Sequence, residues 1–452
     1  MDISRREFIV SSSVLGAGMV ASPMVFGKRV SVAGKPAILG GEPMLAQKVW
    51  PKWPRWNPAT DEKHVVEVLR SGVWSRAKVT QRFEEKWAET IGTNRCLTVV
   101  NGTNALITAL TNFGVGPGDE VILPPYTFIA VPLAVLAVGA MPIFADVELK
   151  TFQLDPDQVA QKITQRTKAI LAVHIAGVSV DMDRIMALAK ERNLIVIEDA
   201  CQAHLAEYGG KRLGSIGHAG CFSFQNSKNL PIGEGGAVVS NNGDFMDRCY
   251  SYHNLGLPYG SMVGIVSASS VLAGTKIRLT EYQAAIGLAL LERLDEETII
   301  RDENAQYLSS MLSEVPGIYP MELYEKANKG AYHLYPFRYV EAEFGGLSRE
   351  QFMKALRAEG VPCSSGYAVL TDQPYLKDAF DSPLYQHVYP KEQLDFDAYV
   401  VANRCPNNET LCKEQAVWFT QNLLLGPKAD MELIVTAITR IHQHAAQLAD
   451  NK

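Results

Sequence analysis

The chain reads as an α/β protein, with a large domain built on a mostly parallel, helix-covered sheet and a smaller α+β domain after it. Three observations predict this. Short, almost wholly apolar runs bounded by turn residues recur at Cys96 to Val100, Val121 to Leu123, Pro142 to Phe144, Ala169 to Val173 and Leu194 to Ile197. Helical stretches such as Ala105 to Phe113 and Met182 to Arg192 lie between some of them. Strands buried on both faces show this continuous apolar pattern rather than alternation. Length is the third observation, because 452 residues exceed what one small core needs.

At the N-terminus, Ser4-Arg5-Arg6-Glu7-Phe8-Ile9 resembles a twin-arginine export signal. The apolar stretch from Ile9 to Phe26 is interrupted by Ser11, Ser12, Ser13, Gly16, Gly18 and Pro23, which makes it a poor membrane span. Residues 1–33 are therefore expected to be a signal region, cleaved after Gly27 or Ala33, and the protein to be periplasmic with no stable membrane span. The alternatives are an uncleaved membrane anchor or a disordered tail.

A loop follows, Trp50-Pro51-Lys52-Trp53-Pro54-Arg55-Trp56, whose prolines forbid a regular helix. Phe83 to Ile91 then reads as helix. Beyond the strand-and-helix region, Thr280-Glu281-Tyr282-Gln283 has the form of a capping box and opens a long helix through the apolar run Ala284 to Leu294. The division between domains is placed along that helix, giving 34–295 and 296–452. In the second part Tyr335 to Val340 is strand-like, Arg349 to Glu359 helical, and Met431 to Ala449 a final helix.

Composition narrows the function. Hydrophobic residues are 47%, charged residues 20%, and the formal net charge is -6, so the overall positive field of a nucleic-acid binder is missing. The seven cysteines, Cys96, Cys201, Cys221, Cys249, Cys363, Cys405 and Cys412, are odd in number and include no Cys-x-x-Cys pair. They point to neither a zinc cluster nor a dense disulfide framework, and no metal site is expected. Cys405 and Cys412 are the one pair that export could oxidise.

Four features at the ends of expected strands carry chemistry, where ligands of open α/β sheets collect. Lys228 stands in the loop after Cys221-Phe222-Ser223-Phe224-Gln225-Asn226-Ser227, ahead of Gly233-Glu234-Gly235-Gly236. By itself a loop lysine is usually a solvated charge. Asp199 ends the run Leu194-Ile195-Val196-Ile197-Glu198, a position that also suits a helix cap. Gln202 and His204 lie just past it. Asn101-Gly102-Thr103-Asn104 joins a strand to a helix whose first N–H groups, with the Thr103 hydroxyl, form an anion site, to which Ser223 could add a second hydroxyl. Phe128, in Pro125-Tyr126-Thr127-Phe128, is either a flat contact for a ring or a core aromatic. A Schiff-base lysine, an acid for a pyridine nitrogen, a phosphate site and a ring contact are what a pyridoxal 5'-phosphate (PLP) enzyme requires.

The order of these features matches fold-type I PLP enzymes, and the chain resembles the DegT/StrS family of sugar aminotransferases from about residue 36 to 445. Carrying the resemblance are Gly102-Thr103, Pro125 to Phe128, Glu198-Asp199-Ala200-Cys201-Gln202-Ala203-His204, Phe222 to Lys228, Gly233 to Gly236, and Arg278-Leu279-Thr280-Glu281-Tyr282-Gln283-Ala284-Ala285. It implies that Lys228 is the Schiff-base lysine and Asp199 its pyridine partner. Gln202 would contact the phenolic oxygen, Phe128 would stack on the ring, and Thr103, Asn104 and Ser223 would bind phosphate. It also implies a glutamine or glutamate donor and a homodimer with shared sites. One departure is Gly274-Thr275-Lys276-Ile277-Arg278, where Lys276 replaces the family's phosphate-binding Asn. Lysine can bind phosphate as a point charge, face an acidic substrate, or face solvent.

Leu39-Gly40-Gly41-Glu42-Pro43, Arg404-Cys405-Pro406 and Trp418 to Gly426 look like the cyclitol and aminobenzoate branch. The resemblance thus implies a keto cyclitol of the inosose kind, or a keto sugar, as amino acceptor. The competing readings are a lyase of the 3-amino-5-hydroxybenzoate-forming type and a non-catalytic PLP-binding sensor. A dehydratase branch that carries histidine in place of the lysine is opposed by Lys228.

Overall fold

Seven strands build the main sheet of the computed structural model, which describes residues 34–261 and 269–450. The twin-arginine motif and the apolar stretch behind it lie outside the described residues. In chain order the strands are β1 (Arg95–Val99), β2 (Glu120–Leu123), β3 (Met141–Phe144), β4 (Thr167–Val173) and β5 (Ile195–Asp199). A small hairpin of β6 (Glu207–Tyr208) and β7 (Lys211–Arg212) precedes β8 (Ala219–Ser223) and β9 (Gly236–Ser240). The sheet order is β1-β9-β8-β5-β4-β2-β3. Every neighbouring pair is parallel except those of β9, which runs antiparallel to both β1 and β8.

Alternate residues of the central strands enter opposite cores, as the two-residue period of a strand requires. Val121, Leu123, Ala169, Leu171 and Ile197 join one buried cluster. Ile122, Ile170, Ala172 and Val196 join the other. The sheet is therefore covered on both faces, as the apolar runs predicted.

The helices that matter for the site are α1 (Pro58–Ser71), α2 (Lys78–Ile91), α3 (Gly102–Asn112), α4 (Ala130–Ala137) and α5 (Pro156–Lys162), followed by α6 (Met182–Arg192), α7 (Gly243–His253) and α8 (Glu281–Leu312). In α2, Phe83, Trp87 and Ile91 recur every fourth residue and are buried as one stripe. The helix begins five residues before the expected Phe83 because a distant carboxylate caps it. Glu281 accepts from the N–H groups of Ala77, Val79 and Thr80 at 2.7, 2.9 and 2.8 Å. No local sequence signal could reveal that cap.

The capping box at Thr280 and Gln283 forms as expected. Residue 295 falls inside α8, which runs unbroken to Leu312. Its first half is tied to α1 and α2 through Arg293–Asp61 and Glu281. Its second half is tied to the C-terminal region, where Asn304 donates to the carbonyls of Leu424 and Gly426. Beyond it a second, antiparallel sheet forms from β10 (Ile318–Pro320), β11 (Leu334–Tyr339) and β12 (Ala416–Thr420), in that order. Helix α9 (Arg349–Ala358) matches the sequence reading.

The single final helix does not. Two helices, α10 (Lys428–Gln443) and α11 (Ala445–Asp450), meet at His444. There the ring Nδ1 bonds the Arg440 carbonyl at 3.0 Å while the backbone N–H turns to Ile441, which interrupts the helical ladder. All seven cysteines are free. Cys405 and Cys412 bond instead to the Asn403 carbonyl and the Asn408 side chain. Among the described residues, no helix is long and apolar enough to cross a membrane.

Candidate active site

The site grows from two adjacent parallel strands. Asp199 is the last residue of β5 and lies opposite Cys221 of β8, so Ser223, two residues on, ends β8 at the same sheet edge. The chain then turns back through Phe224 to Gly235 and Ile232 to Phe224 bonds of 2.8 Å, and presents Lys228 between them. Asp199 is buried, and its Oδ1 accepts from the Cys201 N–H at 3.1 Å.

Lys228 and Asp199 come together. Burial pushes the Lys228 ammonium below its ordinary value of 10.5, while the Cys201 thiol and the Asp199 carboxylate act in the opposite direction. Burial likewise pushes the Cys201 thiol up, and Asp199 beside it adds to the shift. The lysine, the carboxylate and the thiol thus share one electrostatic neighbourhood.

Helix α3 brings its N-terminus, the expected anion site, to the same place. Gly102 opens the helix under an Asn101 cap whose side-chain oxygen accepts from the Asn104 N–H at 2.9 Å and from the Asn104 side-chain amide at 3.0 Å. The Asn104 amide is therefore engaged in the cap. The N–H groups of Gly102 and Thr103 have no intrahelical acceptor and carry the positive end of the helix dipole. A Cβ at Gly102 would stand 2.8 Å from both Cys201 Sγ and Ser223 Cβ. Only glycine lets the helix end press against the loop after β5 and the end of β8. Gly236 repeats the device, since a Cβ there would meet the Asn101 carbonyl carbon at 2.4 Å.

Gln202 is buried and held at both ends. Its oxygen accepts from Ala176 N–H at 2.8 Å, and its amide donates to the Tyr367 hydroxyl at 2.8 Å. A second amide hydrogen is left for a ligand. Tyr367 was not found from the sequence; Ser365-Gly366-Tyr367 lies in an irregular loop with no periodicity to draw attention to it. Its ring packs edge-on against Tyr126 and Trp418, at 5.3 and 4.8 Å between centroids. It thereby links the segment ending in Phe128 to the loop after Asp199. A Tyr367→Phe substitution is expected to lower stability by about 1–3 kcal/mol, because a buried amide loses its acceptor. Denaturant unfolding checks this.

Phe128 is 56% exposed, so it is not a core aromatic. Lys276 is also exposed and stands on a segment whose next residues pair beside the end of β1. No hydrogen bond or ion pair connects it to the other candidates among the described residues. His204 is fully buried among Trp87, Phe222 and Phe224, and its Nε2 bonds the Ser223 carbonyl at 2.9 Å. Burial holds its ring nitrogen down to about 3, so it stays neutral and shapes the end of β8.

Comparison with known proteins agrees with this geometry. The DegT/DnrJ/EryC1/StrS aminotransferase family matches residues 57–390. A 3-amino-5-hydroxybenzoate synthase from Amycolatopsis mediterranei (strain S699) is 33% identical over 402 residues, 86% of this chain and 98% of that protein. An L-glutamine:2-deoxy-scyllo-inosose aminotransferase from Streptomyces kanamyceticus is 33% identical over 428 residues, 91% of this chain and 98% of its own length. Among solved structures, an aminotransferase from Psychrobacter cryohalolentis superposes with a TM-score of 0.75 at 31% identity, covering 86% of this chain and 98% of that one. A lysine, an acid and a helix N-terminus converging on one sheet edge, in a chain so matched, identify it as a member of the DegT/DnrJ/EryC1/StrS aminotransferase family, with the fold-type I architecture and transaminase chemistry of that family.

Proposed function

We propose that this chain transfers the amino group of glutamine or glutamate to the ketone carbon of a cyclitol, using PLP held on Lys228. One observation carries the reading: the Lys228 amine and the Asp199 carboxylate act on each other beside an α3 N-terminus that only glycine allows to approach. The donor set fits the cofactor. The α3 N–H groups, Thr103 and Ser223 suit a dianionic phosphate, and Asp199 suits a protonated ring nitrogen. Thr127 adds a buried hydroxyl with no protein partner beside Phe128. When bound, PLP supplies an aldehyde that captures amines and a ring that withdraws electrons from the carbon next to the nitrogen.

The chain's own residues do the rest. Lys228 anchors the cofactor covalently and, once freed, its amine carries a proton away from the donor's α-carbon and returns it. Its depressed pKa keeps more of that amine neutral, and so basic, at working pH. Asp199 holds positive charge at the ring nitrogen. Gln202, fixed by Ala176 and Tyr367, offers its spare N–H to the phenolic oxygen. Phe128, with its exposed face, covers the ring. Lys276 is assigned to phosphate or substrate charge contributed across a homodimer, which the exposed apolar side chains Trp74, Leu255 and Tyr259 support.

Similarity to the inosose aminotransferase supports the acceptor class. Similarity to the 3-amino-5-hydroxybenzoate synthase favours one second reading, in which the same lysine drives elimination. Incubating the PLP-loaded chain with glutamine should replace its visible absorbance with that of the cofactor's amine form, and a keto cyclitol should restore it with release of an amino cyclitol. A spectrum that no amino donor alters would sink the transfer reading in favour of the lyase or a non-catalytic PLP-binding sensor. Sizing the same sample should give a dimer, and a monomer removes the shared-site assignment of Lys276.

A further inference from the structure

The tryptophan- and proline-rich loop at residues 50–56 straps across the lysine loop. It is pinned on both sides. Trp50 Nε1 donates to the Gly360 carbonyl at 2.9 Å, and Asn422 donates to the Pro51 carbonyl at 2.8 Å. Arg293 donates to the Arg55 carbonyl at 2.7 Å, and Arg55 itself donates to the Leu425 carbonyl at 3.3 Å. Between these ties, Trp53 Nε1 donates to the Lys228 carbonyl at 3.0 Å.

The rest of the lysine loop folds mostly onto itself. Lys228 N–H and Ser227 N–H both turn to Gln225, while Asn226 and Ser227 are exposed. Glycines at 233, 235 and 236 follow, so the segment has little stiffness of its own. Three bonds from outside hold it: the Trp53 indole at Lys228, the Asn229 side chain donating to the Ala331 carbonyl at 2.8 Å, and the Gln283 side chain donating to the Glu234 carbonyl at 2.6 Å, of which only the first reaches the lysine residue itself. The indole is itself fixed from behind. Its ring lies 4.9 Å from the guanidinium of Arg301, which is fully buried and bonded to Gln421 at 2.7 Å and Glu297 at 3.3 Å. A cation set against a tryptophan face in a desolvated position is a firm contact.

We infer that Trp53 is a positioning residue for Lys228. Arg301 fixes the indole, and the indole N–H fixes the carbonyl of the residue whose amine reacts. The strap thus couples the long helix and the C-terminal region to the direction of the lysine side chain. This rests on Lys228 carrying the cofactor, and the test separates the two ideas.

The full chain, loaded with PLP, is compared with Trp53→Phe, which keeps a ring over Arg301 and loses only the N–H, and with Trp53→His, which restores a ring N–H donor. Amide hydrogen exchange across residues 225–231 is read together with Tm and with kcat and KM for the amino donor. Trp53→Phe should exchange faster in that segment by about three- to tenfold, the worth of one hydrogen bond. Its kcat should fall while KM for the donor stays near wild type, and Trp53→His should recover part of both effects. Exchange and kcat unchanged in Trp53→Phe overturn the inference. So does a uniform rise in exchange with a lower Tm, which marks a merely structural residue. Should Trp53→Phe fail to fold, Trp53→Leu, which also lacks the N–H, takes its place: acceleration confined to residues 225–231 supports the role, and uniform or absent acceleration overturns it. Borohydride reduction and peptide mapping of the wild-type sample report separately on Lys228; cofactor found on another lysine removes the functional reading whatever the loop does.

Discussion

Lys228→Ala should abolish borohydride-stable attachment of PLP and lower turnover by at least about 10²–10⁴-fold, the usual contribution of a positioned acid–base group, with loss of the covalent anchor added to it. Loss of stability is not the cause. Burial works against the ammonium form, so its folded pKa lies below 10.5. Between that lowered value and 10.5 the unfolded chain binds a proton that the folded chain does not, and wild-type stability rises with pH across this window. Below the window the charged amine is a standing cost. The cofactor-free alanine variant should therefore melt at or above the wild-type temperature at neutral pH, with a flatter dependence at alkaline pH. Turnover close to wild type, or a lysine other than 228 carrying the reduced cofactor, overturns the assignment.

Asp199→Asn is the second large effect. Asparagine keeps the side-chain shape, and its oxygen can still accept from Cys201 N–H at the position now 3.1 Å away. What disappears is charge. Without a carboxylate, positive charge at the cofactor's ring nitrogen loses its partner, and the ring withdraws electrons less strongly. Turnover should fall by about 10²–10⁴-fold, as for other essential acid–base partners, with PLP still bound at Lys228. A second readout follows from the sign of the interaction. Asp199 raises the Lys228 pKa, so its removal lowers that pKa further. In the cofactor-free variant, amine-selective labelling of Lys228 followed by mass spectrometry should reach its half-maximum at lower pH than in wild type. A midpoint that does not move, or moves up, separates the two groups and sinks the shared site.

Much of the architecture was legible because it rests on local pattern. The apolar runs of β2 to β5 announced strands buried on both faces, and their alternate residues do enter two cores. Thr280 and Gln283 announced a helix start by a bond spanning three residues. Asp199 and Lys228 were readable because the first ends an apolar strand and the second lies in the loop that leaves β8, where side chains collect at one edge. The start of α2 was hidden, since the carboxylate that caps it comes from Glu281, about two hundred residues on. Nothing near His204 in the chain marks its role; packing against Trp87 and Phe222 and the bond to the Ser223 carbonyl make it a neutral brace at the end of β8.

Tyr367 and Trp53 mark the limit most clearly. Both sit in loops, and each acts through one hydrogen bond to a residue more than 160 positions away. Such a bond leaves no period, spacing or composition in the chain, because it depends on where two segments lie after the sheets and α8 have assembled. By itself the sequence determined which elements form and which edge of the main sheet bears the chemistry, since burial patterns and caps act over a few residues. Tertiary structure alone decided how the reactive groups are held, because bonds between distant segments arise only when folding brings them within about 3 Å.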